Sequence, residues 1–332
     1  MEVNYKNLPK CELHVHLEGA APPEFIRQLA AEKKVNLLGL FDDNGDYSFH
    51  NFGEFLKVYD KACEVLDGPN EFYRLVIEAL KDSANHGVIY TEFFVSPDFC
   101  GGGDLVAWRE YLAAMESAAS YCEDNMSVYC RFILTPIRHL GPKQASIIAG
   151  IAQESIGGRL TGFGMGGDEQ FGHPKDFSYA FDMAREAGYQ LTNHAGELVG
   201  PHSVFDSLEY LKVERIGHGV RAIEDTLVVQ RLIDEKITLE VNPGSNIFLG
   251  IYDSLNLHPI QRLREMGVQV TVSTDDPPFF KTDMTKEYTN LAKAFNWTKD
   301  TFLSLNKCAV NAAFCDTKTK EILNQILERE YV

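Results

Sequence analysis

Several features are missing from this chain, and each absence removes a class of protein. No apolar run reaches about 18 residues, so no membrane-spanning helix is expected. The opening residues, MEVNYKNLPK, hold no apolar stretch of the kind that directs secretion. No C-x-x-C pair occurs. The seven cysteines (Cys11, Cys63, Cys100, Cys122, Cys130, Cys308 and Cys315) are odd in number and scattered. That usage fits reduced thiols in the cytoplasm better than a disulfide framework. Positive charge is also scarce. The chain carries 31 Lys and Arg against 48 Asp and Glu, a formal net charge of −17. Such a balance argues against nucleic-acid backbones and anionic membranes as partners. It leaves room for a bound divalent cation, although a solvated acidic surface explains it equally well. No G-x-S-x-G elbow occurs, which speaks against a serine hydrolase.

What is present is ordinary in amount and regular in order. Hydrophobic residues make up 45% and charged residues 24%, enough apolar material for a full core without disulfides. A chain of 332 residues exceeds the usual single core, with the α/β barrel as the main exception. No composition shift or linker divides it, so residues 1–332 are expected to form one barrel domain.

Eight apolar, β-branched runs are centred near Leu13, Ile89, Phe132, Phe163, Leu191, Ile216, Leu239 and Val270, and each is followed by a helix-like stretch. The clearest helices are Phe72 to Asn85, ending near Gly87, and Ala107 to Glu123, which Asp104 could cap. A further helix is expected over His202 to Lys212. Strict alternation of strand and helix implies a parallel sheet. Eight such units predict a closed (β/α)₈ TIM barrel, with extra helices after the first strand and at the C-terminus. A doubly wound open sheet is the alternative. The aromatic region Phe49 to Leu66 is long for a connection and is expected to form part of a lid.

In such a barrel the chemistry sits at the carboxyl ends of the strands. The first strand ends in His14-Val15-His16-Leu17-Glu18, the fifth in Asn193-His194-Ala195-Gly196-Glu197, the sixth in Gly217-His218-Gly219 and the eighth in Thr274-Asp275-Asp276. Residues i and i+2 of a strand share a face, so His14 and His16 can reach one ion. Taken alone, the pair could be two half-exposed strand histidines. The other strand ends favour a metal centre. Imidazole and carboxylate donors without cysteine suit zinc, with iron or manganese possible. Asp275 and Asp276 would repel unless one met a metal and the other a substrate, though Asp276 could also be a helix N-cap. The six remaining histidines, His50, His86, His139, His173, His202 and His258, are assigned to loop or surface positions.

Two motifs mislead. Gly162 to Gly167 fits G-x-G-x-x-G, but on the fourth strand rather than the first, so a nucleotide cofactor is not expected. His16-Leu17-Glu18 fits H-x-E, but the P-C-x-x-C that should accompany it is absent.

Leu8-Pro9-Lys10, ELHVHLEGA, GMGGDE at Gly164–Glu169, HAGE at His194–Glu197, RIGHG at Arg215–Gly219 and STDDP at Ser273–Pro277 together resemble the adenosine deaminase family of the amidohydrolase superfamily. The resemblance runs in order along nearly the whole chain. It implies one zinc ion per subunit, held by His14, His16, His194 and Asp275. It implies Glu197 as a proton shuttle to the purine ring and His218 as the group that orients and helps deprotonate water. Asp276 would bond N7, the backbone of Gly167 would bond N3, and His16 and Glu18 would also face the substrate. The partner is then a small purine. Family members acting on nucleosides commonly carry Asp where this chain has Glu18, whereas adenine-specific members carry Glu. The run Asp276 to Thr282 resembles the nucleoside type. The expectation from sequence is deamination of adenosine to inosine, with 2′-deoxyadenosine as a further substrate and adenine to hypoxanthine as the alternative. A purine-binding protein without turnover would lack Glu197 or His218, and both are present.

Overall fold

The structure, a computed structural model, describes residues 3–331. Eight strands lie in one parallel order: β1 (Lys10–His16), β2 (Val88–Val95), β3 (Tyr129–Leu134), β4 (Leu160–Phe163), β5 (Gln190–Ala195), β6 (Arg215–His218), β7 (Thr238–Val241) and β8 (Gln269–Val272). Closure runs through the carboxyl ends of β1 and β8. His16 N donates to Asp275 O at 3.0 Å, and Asp275 N donates to His14 O at 3.1 Å. The result is the (β/α)₈ barrel that the alternating pattern predicts.

Three helices, α1 (Pro23–Lys33), α2 (Phe52–Cys63) and α3 (Pro69–Asn85), separate β1 from β2. Then come α4 (Leu105–Met126), α5 (Pro142–Gln153), α6 (Ser178–Ala187), α7 (Pro201–Asp206), α8 (Thr226–Asp234), α9 (Pro243–Phe248) and α10 (Ile260–Glu265). Helices α11 (Met284–Phe295), α12 (Lys299–Ala312) and α13 (Thr317–Tyr331) follow β8. The boundaries have local causes. Asp104 caps α4 by accepting from Ala107 N at 2.9 Å, which satisfies one of the orphan donors of a helix start. At the end of α6, Gly188 takes a φ of +100°, a left-handed conformation that glycine adopts without a Cβ penalty.

One expected helix differs. The segment 202–212 is α-helical only to Asp206 and then forms a π turn over Ser207–Leu211. Ser207 is the cause. Its hydroxyl donates to Ser203 O at 2.7 Å and accepts from Asn193 at 2.8 Å, so the turn is tied to β5 instead of continuing regularly.

The core has two parts. Between barrel and helices, apolar faces such as Phe181 of α6 meet strand residues such as Phe163, edge to face at 5.3 Å. Inside the barrel Phe94, Ile133 and Phe314 form a small separate cluster, and Phe94 reaches up to stack on His16. Above the cluster lie the polar groups of the carboxyl mouth.

Candidate active site

β1 delivers His14 and His16 to the mouth side by side, their ring centroids 5.5 Å apart. His194 arrives from β5, with its Nε2 3.1 Å from His16 Nε2. Asp275 follows β8, and its Oδ1 lies 3.4 Å from both His14 Nε2 and His16 Nε2. Donor atoms around a tetrahedral ion with bonds near 2.0–2.1 Å stand about 3.3 Å from one another, so these spacings suit one ion. Among the described residues the four form a group whose donor atoms all lie within 4.8 Å. A further observation agrees with this. His14 Nε2 is buried and has no hydrogen-bond partner in the protein. A buried nitrogen left bare is costly unless something outside the chain meets it.

The opposite nitrogens are spoken for. His14 Nδ1 faces Glu240 Oε2 at 2.7 Å, and His194 Nδ1 faces Met165 O at 2.8 Å. Such partners fix ring orientation and tautomer and leave the Nε2 lone pairs for a metal. Asp275 is fixed too, its Oδ2 accepting from Ser245 Oγ at 2.7 Å. Close packing is built in. A Cβ on Gly217 would stand 2.7 Å from His14 Cε1, and one on Gly19 would stand 1.6 Å from Asp276 Oδ1.

Next to this group stand Glu197, His218 and Asp276. His218 Nδ1 is 3.6 Å from Glu197 Oε1, and its Nε2 is 3.8 Å from Asp275 Oδ2. His218 and Asp275 both hold left-handed backbone, at φ of +59° and +68°. That conformation is strained for non-glycine residues and concentrates at functional sites. Burial pushes His218 down to about 3, so its imidazole is neutral. Burial, and then the charges of Asp275 and Glu169, hold the Glu197 carboxyl well above its usual range. Asp276 is raised for the same first reason, with Asp275, Glu18 and Glu197 as like charges around it. Its Oδ1 is buried without a partner.

These groups line one pocket together with Gly167, Glu18 and the aromatic wall of Phe52, Phe55 and Tyr59 from α2. Every site residue expected from the sequence lines this pocket except His14, which is fully buried beside it in the His14, His16, His194 and Asp275 group. Sequence reasoning missed several others. His139 sits in a short 3₁₀ turn, Arg138–Leu140, and lines the pocket. His258 is not at the surface: it is 2% exposed, and its Nε2 lies 3.1 Å from Asn246 Oδ1. Asn246 Nδ2 in turn lies 3.3 Å from His218 Nδ1. Glu240 went unremarked, although a carboxylate inside the apolar strand TLEV is a visible signal. Glu169 accepts from the backbone N–H groups of Gly196, Glu197, Leu198 and Val199, and so ties down the turn that carries Glu197. Only distant pairing in space reveals that role.

An eight-stranded parallel barrel with three histidines and an aspartate at its carboxyl mouth is the architecture of the amidohydrolase superfamily. Within it, this chain belongs to the adenosine deaminase family: the family model described as "Adenosine deaminase" matches residues 9–329. An adenine deaminase of Rhizobium leguminosarum bv. trifolii is 41% identical over 317 residues, covering 96% of this chain and 98% of that protein. One of Agrobacterium fabrum is 39% identical over 319 residues, covering 96% and 97%. The crystal structure of an adenine deaminase from Arthrobacter aurescens superposes with a TM-score of 0.89 at 28% identity, covering 97% of this chain and 98% of that one.

These relatives correct the expectation of adenosine as substrate. Their shared name is adenine deaminase, so the alternative reading is the better supported one. The misleading signal was the run Asp276 to Thr282, and the informative one was Glu18. Glu18 is 3% exposed. Its Oε1 accepts from Ser96 N at 3.2 Å and its Oε2 from Tyr59 Oη at 3.3 Å. Burial pushes its carboxyl up to about 7. It is a fixed part of the pocket wall and not a longer stand-in free to swing aside.

Proposed function

We propose that this protein converts adenine and water to hypoxanthine and ammonia. The observation that carries the proposal is the near full-length similarity, at about two residues in five, to proteins named adenine deaminase. The fixed Glu18 carboxyl supports it, because a ribose would have to share the pocket with that buried wall. Seven free cysteines and the absence of a long apolar helix among the described residues agree with work in the cytoplasm.

His14, His16, His194 and Asp275 would hold one divalent ion, and the donor set of three imidazoles and a carboxylate suits zinc. When bound, such an ion lowers the pKa of a water towards about 7 and so supplies a nucleophile at neutral pH. The chain does the rest. Burial, and then the like charges of Asp275 and Glu169, favour the protonated form of Glu197. It delivers that proton to the ring nitrogen beside the amino-bearing carbon, where negative charge develops as water adds. Neutral His218 is free to accept the proton that the water releases. That proton passes to the amino group, which leaves as ammonia, while the hydroxyl proton on the same carbon returns to Glu197 and the ring is left with a carbonyl. Burial among like charges favours the protonated carboxyl of Asp276, whose unpartnered side can donate to N7. The backbone of Gly167, open at a φ of +96°, is the contact for N3. The phenyl and phenol faces of α2 shield the flat ring from water.

Ammonia release from adenine and from adenosine, with a chelator-stripped control, tests the proposal. Adenine is expected to turn over at least about 100-fold faster, the scale on which a site rejects a misfitting group. Faster turnover of adenosine would overturn the reading.

A further inference from the structure

Below the metal cluster the barrel is filled by a plug that no part of the proposed reaction uses. The turn between α12 and α13 inserts Phe314 into the barrel floor, where it packs with Phe94 and Ile133. Gly162 makes room for it: a Cβ there would lie 2.8 Å from the Phe314 ring and 3.0 Å from Ile133. Arg215 lies over this ring, its guanidinium carbon 3.5 Å from the centroid. The guanidinium then forks. Nη1 donates to Ala312 O at 3.0 Å, Nη2 to Glu92 Oε2 at 2.6 Å and Nε to Glu240 Oε1 at 2.6 Å. The other oxygen of Glu240 meets His14 Nδ1 at 2.7 Å. Phe94 completes a second route, since its ring packs against His14 at 4.6 Å and stacks on His16 at 5.1 Å.

We propose that Arg215 and Phe314 are positioning residues for the metal centre. Through Glu240 they fix the tautomer and angle of His14, so that docking of the C-terminal segment on the barrel floor sets metal affinity at the mouth. The geometry allows little else. Glu240 has no exposure, so it cannot turn to water, and its Oε1 is already filled by Arg215 and by Thr192 Oγ at 2.9 Å. Only Oε2 remains for His14. A planar fork is required, because one group must bond two carboxylates and a carbonyl while lying over a ring. Lysine has the charge but neither the fork nor the face.

This inference rests on the reading of His14 as a metal ligand, and the experiment separates the two. Zinc affinity of the full chain is measured by competition with a chromophoric chelator for wild type, Arg215→Lys, Phe314→Leu, His14→Ala and Phe181→Leu. The last loses comparable core packing in the outer layer, away from the plug. Arg215→Lys and Phe314→Leu are expected to weaken zinc binding about 10- to 100-fold, the usual cost of losing a group that orients a ligand. Phe181→Leu is expected to lower thermal stability and leave zinc affinity unchanged. Proton NMR of the metal-free chain supplies a readout independent of zinc. The downfield Nδ1 proton shared by His14 and Glu240 should broaden or vanish in Arg215→Lys. Wild-type zinc affinity in both plug variants, or equal weakening in Phe181→Leu, overturns the proposal. Undiminished affinity in His14→Ala overturns the ligand assignment beneath it. Should Arg215→Lys fail to fold, Phe314→Leu alone decides.

Discussion

The barrel has two buried acidic regions, and they are built on opposite principles. At the floor, Glu92 and Glu240 flank Arg215, and hydrogen bonds fill their oxygens. Tyr90 and the Phe314 amide complete Glu92, while Thr192 and His14 complete Glu240. At the mouth, Glu18, Glu197, Asp275 and Asp276 crowd one pocket, and no lysine or arginine pairs with them among the described residues. There Asp276 Oδ1 and His14 Nε2 have no partner at all. Buried charge is tolerated when paired and bonded and is costly otherwise. The floor is thus a finished structural network. The mouth keeps buried polar atoms that the chain itself does not satisfy.

The comparison breaks if the mouth proves dispensable for turnover, and the largest test is there. Glu197→Gln should cut kcat for adenine by about 10²- to 10⁴-fold, the range of a positioned acid. Elemental analysis should find its metal content unchanged, because Glu197 is not among the four proposed ligands. A rate near wild type would remove Glu197 as the acid. At the floor the expected loss is in stability. Arg215→Met leaves two buried carboxylates without their counter-ion, a defect worth about 3–5 kcal/mol. Chemical denaturation would measure it, and a loss below about 1 kcal/mol would mean that the network is ornamental.

The same contrast explains what could be read from the sequence. The fold was legible because strand and helix alternate without interruption from Leu13 to Val270, and a parallel sheet has few ways to accommodate that. The mouth was legible because its groups sit at strand ends next to glycines and prolines, as in HAGE and STDDP. The floor was not. Arg215 lies in RIGHG and Glu240 in TLEV, 25 residues apart, and nothing local links either to Phe314. The register between strands creates that network, and the register is set by the whole barrel. The substrate was misjudged for a related reason. Glu18 was visible, but its immobility depends on Tyr59 and Ser96, which reach it from distant segments.

Glu287 sharpens the contrast, since it stands between the two extremes. It is buried on α11, accepts from Gly244 N at 3.1 Å and from Thr282 Oγ1, and lacks a bonded cation. Burial pushes it up to about 7 from an ordinary 4.5. The folded state therefore holds a proton that the unfolded state has lost between those two values. Stability is then fully present below about pH 4.5 and falls as pH rises through about 7. Glu287→Gln should remove this slope, which is worth on the order of 2 kcal/mol across the interval. Unfolding curves at pH 5 and pH 8 compare the two proteins. An unchanged pH slope in the variant would assign the effect to another group.

The smallest effect should also be opposite in sign. Asp276 is buried, raised and surrounded by Asp275, Glu18 and Glu197. Asp276→Asn keeps its shape and removes one of four crowded carboxyls. The variant should gain about 1 kcal/mol, seen as a rise of roughly 1–2 °C in Tm for a chain of this length. It should also bind adenine less tightly, because an amide matches the N7 lone pair poorly when its oxygen faces the ring. Functional sites commonly give up stability in this way. A fall in Tm would mean that Asp276 is as well satisfied as Glu92, and that the mouth resembles the floor more than its bare atoms suggest.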